Sequence, residues 1–575
     1  MTDLEVYINT RGFLDALGAR PSVSFDAVAL AEDLRAVDPT SGIVSSPRIA
    51  RAVIAAIHDA GLQPRYAGKV PTPTLAAWAG TLHIPCVMIT GSHIPADRNG
   101  VKFYTPEGEV LKSDETEILA AVSAVRAREY AKNAGETRFD ARGMLRDPPP
   151  TPDVEAVAAE SYVARYTDPF GDARPLAGKR IVLYQHSAVG RDLLARIFSN
   201  LGAEVIPTRR SETFVPVDTE DVDADDLALF ETIAAEHPGA FAIISTDGDS
   251  DRPLVIDEDG TFYRGDVLGV VVAEYLGATF AAVPVSASDA IERHLAARAA
   301  ADKPTFTVAR TRIGSPYVIA AMNQAVARGE ALVCGWESNG GFLTANDVPF
   351  GDGSLPALPT RDATLPILVA LLAAAERNIS VSALFAELPP RFTGAGLIDD
   401  FPREASAAIL AALRPADDTI VDVDLASLPS ALSAQQREDL DAIRERLTRY
   451  FRPDDGFGAI THLNLVDGVR IGFDNDEIVH LRPSGNAPQL RIYAVSDSAE
   501  RCAEIIALGL RESDGLLRRL ERDLAAGRLT KRPETYGNGD SNHTHAARRA
   551  NLTALREIVA RSAGPRQVLA ITNGG

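Results

Sequence analysis

The stretch Asp247–Arg252, which reads D-G-D-S-D-R, constrains this chain most. It follows a short apolar run, 240–244, of the kind that forms a buried strand, so it is predicted to be the loop that leaves that strand. Alternate side chains of an extended loop point the same way, and a glycine lets the loop bend sharply. Three crowded carboxylates need a counter-ion. An oxygen-only set with few ligands favours Mg²⁺, because positions stay open for water or a phosphate oxygen.

Two other structures are possible for this loop, a solvated turn and an EF-hand. A solvated acidic turn is common, but the third aspartate and the adjacent arginine argue against it. An EF-hand would use Glu258, which stands at the twelfth position counted from Asp247. However, Arg252 occupies the sixth position, where an EF-hand has glycine, and a strand rather than a helix is predicted to precede the loop.

Composition limits the class of protein. A chain of 575 residues with 46% hydrophobic content can bury three to five cores of the usual domain size. A net charge of -21 argues against a nucleic-acid partner, so an anionic ligand must meet local arginines and lysines. The three cysteines are too far apart in sequence to indicate disulfides or zinc. With no apolar run of transmembrane length and no leader-like start, we expect a cytoplasmic protein without a membrane partner.

Alternating helix-like and strand-like runs predict α/β domains over most of the chain. A proline-rich stretch, 146–152, cannot be helical and marks the first boundary. Helices are predicted over 47–60 and, much later, from Arg361 to Glu376. After about residue 392 the pattern changes to α+β. The predicted domains are 1–147, 148–262, 263–392 and 393–511, with a C-terminal extension, 512–575, of unknown role.

Further polar loops follow predicted strands, where open α/β sheets bind ligands. The loop 90–95 reads T-G-S-H-I-P, and a short N-G-V-K segment follows at 99–102. The loop 335–342 reads G-W-E-S-N-G-G-F, and the loop 482–488 reads R-P-S-G-N-A-P. Together with the aspartate loop they offer hydroxyls, carboxylates and guanidinium groups, which are the groups that bind sugars and phosphates.

Taken together, these loops resemble those of the α-D-phosphohexomutase family, which includes phosphomannomutase/phosphoglucomutase and phosphoglucosamine mutase. The resemblance spans about residues 7 to 510. The family's D-G-D-x-D-R loop is matched in full, and its T-A-S-H-N-P loop is matched apart from Gly91 and Ile94. Its G-E-x-S-G-H loop is kept in part, with Asn339 for serine and Gly341 for histidine. The segments N-G-x-K, R-P-S-G-T-E-P and R-x-Y also have counterparts here.

The resemblance implies a fold of four domains around a central cleft. Three related αβα mixed-sheet domains would carry, in order, a phosphoserine, the magnesium loop and the sugar-binding loop. A smaller α+β domain would bind phosphate. It also implies an isomerase of carbohydrate metabolism, working as a monomer or homodimer, that interconverts hexose 1-phosphate and hexose 6-phosphate of mannose, glucose or both. The cofactor would be Mg²⁺, and hexose 1,6-bisphosphate would be both the intermediate and the activator.

The resemblance assigns roles to residues of this chain. Lys102 would be the general acid/base if neighbouring cations lower its pKa, with His93 as the second candidate. The catalytic set would be Ser92, His93, Lys102 and Arg252; the metal would be held by Ser92, Asp247, Asp249 and Asp251; and the substrate would be bound by Arg11, Glu337, Asn339, Arg482, Ser484, Gly485, Asn486 and Arg491.

Three alternatives stay open on the sequence alone. The chain could be a phosphoglucosamine mutase, since the altered loop around Asn339 leaves the sugar undetermined. It could be a phosphatase that loses the phosphoryl group of Ser92 to water. It could also be a non-catalytic sugar-phosphate sensor, a reading prompted by Gly341 and by the additional tail.

Overall fold

The computed structural model describes residues 1–35, 45–95, 97–220, 222–484 and 488–529. Three α/β/α domains with mixed sheets are followed by a β-rich domain, as predicted. We number the four large sheets I to IV in chain order.

Sheet I has three parallel strands and an antiparallel edge. The second of its helices begins with a proline in its first turn, buries Ile49, Val53 and Ile57, and ends before Gly61, which has a φ of 76°. The elements are α1 (Asp3–Gly18), β1 (Ala27–Glu32), α2 (Ser46–Asp59), β2 (Gln63–Lys69), α3 (Thr72–Leu82), β3 (Cys86–Ile89), β4 (Val101–Thr105), β5 (Gly108–Glu109) and α4 (Glu115–Tyr130).

Sheet II follows a stretch, 146–153, that has neither helix nor strand, as its prolines predict. The apolar run before the aspartate loop is the buried strand that the sequence predicted. The elements are α5 (Val157–Thr167), a 3₁₀ turn (Asp168–Phe170), β6 (Arg180–His186), α6 (Arg191–Asn200), β7 (Glu204–Arg210), α7 (Ala224–Glu236), β8 (Ala242–Thr246), β9 (Pro253–Ile256) and β10 (Phe262–Tyr263).

Sheet III is accompanied by a separate two-stranded ribbon, and its last long helix is buried along most of its length. The elements are α8 (Gly265–Leu276), β11 (Phe280–Pro284), α9 (Ala290–Ala300), β12 (Thr307–Thr311), α10 (Ser315–Ala327), β13 (Val333–Trp336), β14 (Phe342–Thr344), β15 (Val348–Phe350), β16 (Gly353–Leu355), β17 (Leu358–Asp362), α11 (Thr364–Glu376) and α12 (Val381–Phe385).

The three sheets share one strand order. They run β2-β1-β3-β4-β5, β7-β6-β8-β9-β10 and β12-β11-β13-β14-β17. In each, the first three strands of the domain are parallel and the fourth turns back antiparallel to the third. The third strand therefore lies at the centre of every sheet, and its carboxyl end faces the start of an antiparallel partner.

Sheet IV is entirely antiparallel, in the order β18-β23-β22-β21-β20-β19, with helices packed on it. The amphipathic helix at its end buries Leu516, Leu517 and Leu520 in the same core. The elements are β18 (Phe392–Ile398), α13 (Arg403–Ala412), β19 (Asp422–Asp424), α14 (Ala434–Thr448), a 3₁₀ turn (Pro453–Asp455), β20 (Ile460–Asn464), β21 (Val469–Phe473), β22 (Ile478–Pro483), β23 (Leu490–Ser496), α15 (Ala499–Leu510) and α16 (Leu516–Ala525).

One predicted helix was wrong at its start. Arg361 belongs to strand β17, not to the helix, because Asp362 pairs with Phe342 of β14 and the chain turns helical only at Thr364. The predicted domain boundaries stay predictions. The boundary after residue 262 falls inside β10, which pairs with β9 of sheet II, and the boundary after 392 falls at the first residue of β18. Most of the C-terminal extension, 530–575, lies outside the described residues.

Across the described residues, no helix combines the length and the apolar character that crossing a membrane requires.

Candidate active site

The functional loops leave equivalent strands. Ser92 follows β3, Asp247 follows β8 and Glu337 follows β13, and these are the central third strands of sheets I, II and III. The carboxyl end of a central strand in an open α/β sheet is where ligands bind, because backbone groups there are free of helix and sheet partners. The repeated strand order therefore gives each domain one loop in the same structural position.

The Ser92 loop is supported from beneath by two buried residues of sheet I. Asp33 Oδ2 accepts hydrogen bonds from Thr90 Oγ1 (2.9 Å) and Gly91 N (3.3 Å). Arg35 Nη2 donates to Ser92 O (3.2 Å) and Ile94 O (3.0 Å). A Cβ on Gly91 would lie 1.6 Å from Arg35 Nη1, so the glycine is required by the guanidinium packed against it. The loop is thereby fixed before any ligand binds.

The serine and the aspartate loop are in direct contact. Ser92 Oγ donates to Asp247 Oδ2 at 2.6 Å, and Ser92 is buried. The approach is close because residue 248 is glycine: a Cβ there would lie 2.6 Å from Ser92 O. Residues of the sheet I and sheet II domains thus meet at this contact.

The three aspartates offer ligand atoms that lie within 4.8 Å of one another, and all three side chains are buried. Both oxygens of Asp247 and one oxygen each of Asp249 and Asp251 accept hydrogen bonds. Asp247 Oδ1 accepts from the backbone of residues 251 and 252, while Lys102 Nζ donates to Asp249 Oδ2 and Asp251 Oδ2, each at 2.7 Å. Asp249 Oδ1 and Asp251 Oδ1 are buried without a hydrogen-bond partner among the described residues. Clustered, unpartnered carboxylate oxygens are the donors that Mg²⁺ requires, so these residues fit the metal.

The carboxylates differ in their electrostatics. Burial raises the pKa of Asp247 well above its usual value, and Asp249 and Asp251 add to this. Burial also acts to raise the pKa of Asp251, but Arg361 and Lys102 hold it well below its usual range. Three cations, Lys102, Arg252 and Arg361, therefore lie beside the three carboxylates, yet the pKa of Asp247 stays raised.

The pKa of Lys102 is shifted upward, whereas the sequence analysis expects it to be lowered. Burial lowers its pKa, but the Asp249 and Asp251 carboxylates outweigh burial and raise the pKa above its ordinary value. Arg361 acts to lower the pKa of Lys102, as the sequence analysis expects of a neighbouring cation. The two carboxylates have the larger effect, so the pKa rises. Lys102 projects from β4, the antiparallel neighbour of β3, and so reaches the loop of the next domain.

Arg252 and His93 complete this half of the site. Arg252 is buried, and its Nε lies 3.8 Å from Asp247 Oδ2 and 3.7 Å from Asp251 Oδ1. His93 Nδ1 lies 3.5 Å from Ser92 Oγ, at the limit of a hydrogen bond. Burial, with the charge of Arg252, lowers the pKa of His93 to about 4. The ring is neutral at pH 7 and can accept a proton.

The predicted sugar-binding loop reaches the same cluster through an arginine that the sequence argument did not identify. Arg361 Nη1 donates to Glu337 Oε2 at 2.9 Å, and its Nε and Nη2 donate to Asp251 Oδ2 at 3.1 and 3.0 Å. Asn339 Oδ1 accepts from Gly341 N (3.0 Å) and shapes its own loop. A Cβ on Gly341 would lie 2.5 Å from Arg361 Cδ, so the arginine stem occupies the space beside this glycine.

The predicted phosphate-binding residues lie on the β22–β23 hairpin. Arg482 Nε donates to Asp467 Oδ2 at 3.0 Å, and the same oxygen accepts from Ile313 N of the sheet III domain at 3.1 Å. Ser484 N donates to Gln489 O, and Arg491 Nη2 donates to Gln489 Oε1. The other two predicted residues of this loop, Gly485 and Asn486, lie outside the described residues.

The structure does not bring Arg11 to this site. Its Nε donates to Asp15 Oδ1 (2.6 Å) and its Nη1 donates to Asp59 O (2.6 Å), the last residue of α2. The opposite end of α2 is the one that approaches the Ser92 loop, since Ser46 Oγ donates to Asp33 Oδ1. The R-G pair at residues 11 and 12 lies in helix α1, where Gly12 lets α4 pack closely.

Two site residues had little sequence signal. Arg361 was predicted to be helical, and no pattern marks it as part of a loop. Thr72 opens helix α3 and donates from Oγ1 to Asp249 Oδ2. Its Thr-Pro pair is an ordinary helix start, so only the contact between domains distinguishes it.

Comparison with known proteins agrees with this architecture. The family models described as phosphoglucomutase/phosphomannomutase α/β/α domains I, II and III match residues 27–129, 160–260 and 264–392. A phosphomannomutase of Sinorhizobium fredii is 40% identical over 470 residues, which are 81% of this chain and 87% of that protein. A phosphomannomutase of Salmonella muenchen is 37% identical over 505 residues, 86% of this chain and 89% of that protein.

A solved structure shows the same fold. The crystal structure of a phosphoglucomutase/phosphomannomutase family protein from Burkholderia thailandensis superposes with a TM-score of 0.57. It covers 91% of this chain and 94% of that chain, at 19% identity.

The fold, the serine facing three carboxylates and these relatives define an isomerase of the phosphosugar mutase class. The chain belongs to the phosphoglucomutase/phosphomannomutase family, whose members are the α-D-phosphohexomutases.

Proposed function

We propose that this mutase interconverts hexose 1-phosphate and hexose 6-phosphate, with mannose as the first candidate sugar and glucose as the second. Phosphorylated Ser92 would be the phosphoryl donor, and hexose 1,6-bisphosphate the intermediate. The contact that carries the proposal is Ser92 Oγ to Asp247 Oδ2 at 2.6 Å, because it sets a hydroxyl against a cluster of carboxylates suited to a divalent cation.

The bond changes are the following. The bond from Ser92 Oγ to phosphorus breaks, and a sugar hydroxyl forms a new bond to that phosphorus. The hydroxyl proton passes to a base, and the candidate is His93, whose Nδ1 lies 3.5 Å from Ser92 Oγ. The raised pKa of Lys102 keeps its side chain an ammonium, which would polarise the transferring group rather than accept the proton. The bisphosphate then reverses its orientation in the site, and its other phosphoryl group is transferred to Ser92. The net change moves phosphate between O1 and O6.

The other side chains position and balance charge. Asp247, Asp249 and Asp251 would hold Mg²⁺, which when bound offsets negative charge on a transferring phosphoryl group. Arg252 is a fixed, buried cation beside the same carboxylates, and fixed cations stabilise developing charge without having to reorganise.

Sugar and distal phosphate would be held by the remaining loops. Glu337 and Asn339 carry groups that accept and donate hydrogen bonds to hydroxyls, at the end of β13. Arg482, Ser484 and Arg491 on the β22–β23 hairpin would bind the phosphate that is not reacting. Mannose is favoured because both relatives above, at 40% and 37% identity, are named phosphomannomutases. The cytoplasm is the expected location, since Cys86, Cys334 and Cys502 are buried free thiols.

The test is conversion of defined substrates by the purified full chain. Mannose 1-phosphate, glucose 1-phosphate and glucosamine 1-phosphate are each supplied with Mg²⁺ and a trace of the matching 1,6-bisphosphate. We expect the mannose compound to be converted to the 6-phosphate, and Ser92→Ala to lose this activity while the control Ser161→Ala, on an exposed face of α5, keeps it. Conversion of none of the three would contradict the proposal.

The same assay separates the alternatives. Preference for glucosamine 1-phosphate would make the chain a phosphoglucosamine mutase. Release of inorganic phosphate as the main product would indicate a phosphatase. Binding without turnover, kept by Ser92→Ala, would indicate a sensor.

A further inference from the structure

The aspartate loop belongs to sheet II, but two of its carboxylates are held from other domains. Each of these carboxylates has one oxygen fixed by an outside side chain and one oxygen, Oδ1, buried without a hydrogen-bond partner among the described residues. The fixed oxygens are Oδ2 of Asp249 and Oδ2 of Asp251. A carboxylate held at one oxygen cannot rotate freely, so its second oxygen keeps a fixed direction.

Arg361 of sheet III fixes Asp251. Its Nε and Nη2 both donate to Asp251 Oδ2, at 3.1 and 3.0 Å, and only 3% of the residue is exposed. The remaining arm, Nη1, donates to Glu337 Oε2 at 2.9 Å. The planar guanidinium therefore spans the aspartate loop and the sugar loop, a geometry that the single ammonium of lysine cannot reproduce.

Thr72 of the sheet I domain fixes Asp249. It is the first residue of α3 and is fully buried. Its Oγ1 donates to Asp249 Oδ2, and its backbone N donates to Asp249 O at 3.0 Å. Two hydrogen bonds from one residue fix both the side chain and the backbone of Asp249.

We propose that Thr72 and Arg361 are positioning residues that set the affinity of the aspartate loop for its divalent cation, so that metal binding depends on the docking of three domains. The inference rests on the proposed function, because it assumes that the loop binds a metal. Partners that orient metal ligands are worth about 10- to 100-fold in metal affinity or activity when removed. Neither residue touches the reacting atoms, so their effect must pass through Asp249 and Asp251.

The experiment measures Mn²⁺ binding to the purified full chain, by the electron paramagnetic resonance signal of the free ion. The variants are Arg361→Lys, which keeps the charge but loses the two-armed bond, and Thr72→Val, which keeps the shape but loses the donor. We expect each to weaken Mn²⁺ binding by about 10-fold or more, and Thr72→Ser, which keeps the hydroxyl, to restore most of the affinity. Thermal melting checks that each variant is folded.

Arg391→Gln is the matched control. Arg391 is also buried and also joins carboxylates of different domains, but it lies at the junction of sheets III and IV. The Mn²⁺ affinity of the Arg391→Gln variant should equal that of the wild type. Wild-type affinity in folded Arg361→Lys and Thr72→Val would overturn this inference alone. A wild-type chain that binds no Mn²⁺ would overturn the metal site and the inference with it.

Discussion

Ser92 and Ser250 both have a left-handed backbone conformation, with φ of 50° and 58°, which residues other than glycine rarely adopt. Such a conformation costs on the order of 1–3 kcal/mol and persists only where surrounding contacts enforce it. Ser92 O accepts from Arg35 Nη2, while Ser250 Oγ accepts from Gly190 N (3.0 Å) and Thr246 Oγ1 (2.8 Å). Two facing loops thus carry strain, and both are anchored by buried partners. In this conformation Ser92 Oγ donates to Asp247 Oδ2.

A buried histidine on the β22–β23 hairpin should make the stability of the protein depend on pH. His480 lies on β22, and its Nε2 donates to Asp467 O at 2.6 Å. Burial lowers its pKa to about 4, against an ordinary value of 6.5 in the unfolded chain. Between these values the unfolded state binds more protons, so stability present above pH 6.5 is lost as the pH falls towards 4. We expect this residue alone to lower the free energy of unfolding by roughly 2 kcal/mol from pH 7 to pH 5.

Melting of the wild type and of His480→Gln at both pH values measures this effect. The variant should show a smaller loss of stability on acidification. His58→Gln, which changes an exposed histidine on α2, is measured beside it as the control for losing a histidine that is not buried. If His480→Gln is as sensitive to acid as the wild type, the assignment to His480 is wrong.

At the scale of elements, the sequence predicts the helices, strands and loops that depend on local residue patterns. It does not predict contacts between residues that are distant in sequence. The strand before Asp247 and the helix α2 follow from apolar spacing, a proline start and a closing glycine. The aspartate loop follows from its own residues. Arg361 was missed because strand β17 is short and runs directly into the apolar helix α11, so its pairing with β14 has no local signature. The contact of Thr72 with Asp249 depends on how two domains dock, which no spacing within the chain encodes.

Glycines at two elements give a paired prediction. In the aspartate loop, Gly248→Ala places a Cβ 2.6 Å from Ser92 O, so the loops must move apart. We expect kcat to fall by about 100-fold, since a misplacement near 1 Å has that effect, with the chain still folded.

In helix α3, a Cβ added by Gly80→Ala meets nothing within 4 Å, and the substitution should add roughly 0.5–1 kcal/mol to the free energy of unfolding. Rates and melting curves of both variants check this; unchanged kcat in Gly248→Ala would show that the close approach is not needed.

At the scale of the whole molecule, ion pairs around the buried Arg391 join the β-rich domain to the rest. Arg391 precedes β18, and its Nε donates to Asp289 Oδ1 (2.8 Å) beside α9, while its Nη1 donates to Asp497 of the sheet IV domain. Its Nη2 also donates to Asp476 O at 2.6 Å. Arg293 of α9 adds a contact to Asp476 Oδ1 at 3.2 Å. This cluster, together with the contacts of Asp467 with Ile313 and Arg482, connects the domain that carries the β22–β23 hairpin to the sheet III domain.

Arg391→Gln tests that connection. It removes one of the two guanidinium groups that Asp289 and Asp497 share and leaves Arg293, 2.8 Å from Asp289 and 3.7 Å from Asp497, so the β-rich domain should dock less firmly. We expect KM for the sugar phosphate to rise by roughly 10-fold while kcat changes less, because under the proposed function the hairpin binds the phosphate that does not react. Steady-state kinetics of the variant, beside Arg403→Gln on the exposed side of α13, measure the effect. An unchanged KM would mean that this cluster does not position the hairpin.

The most direct test of the account is whether Ser92 carries a phosphoryl group. The purified chain is incubated with mannose 1,6-bisphosphate and Mg²⁺, and then its intact mass and its peptides are measured. We predict an increment of about 80 Da that maps to Ser92 and is absent from Ser92→Ala. A chain that turns over substrate with no such increment, or with the increment on another residue, would contradict the claim that Ser92 is the phosphoryl donor.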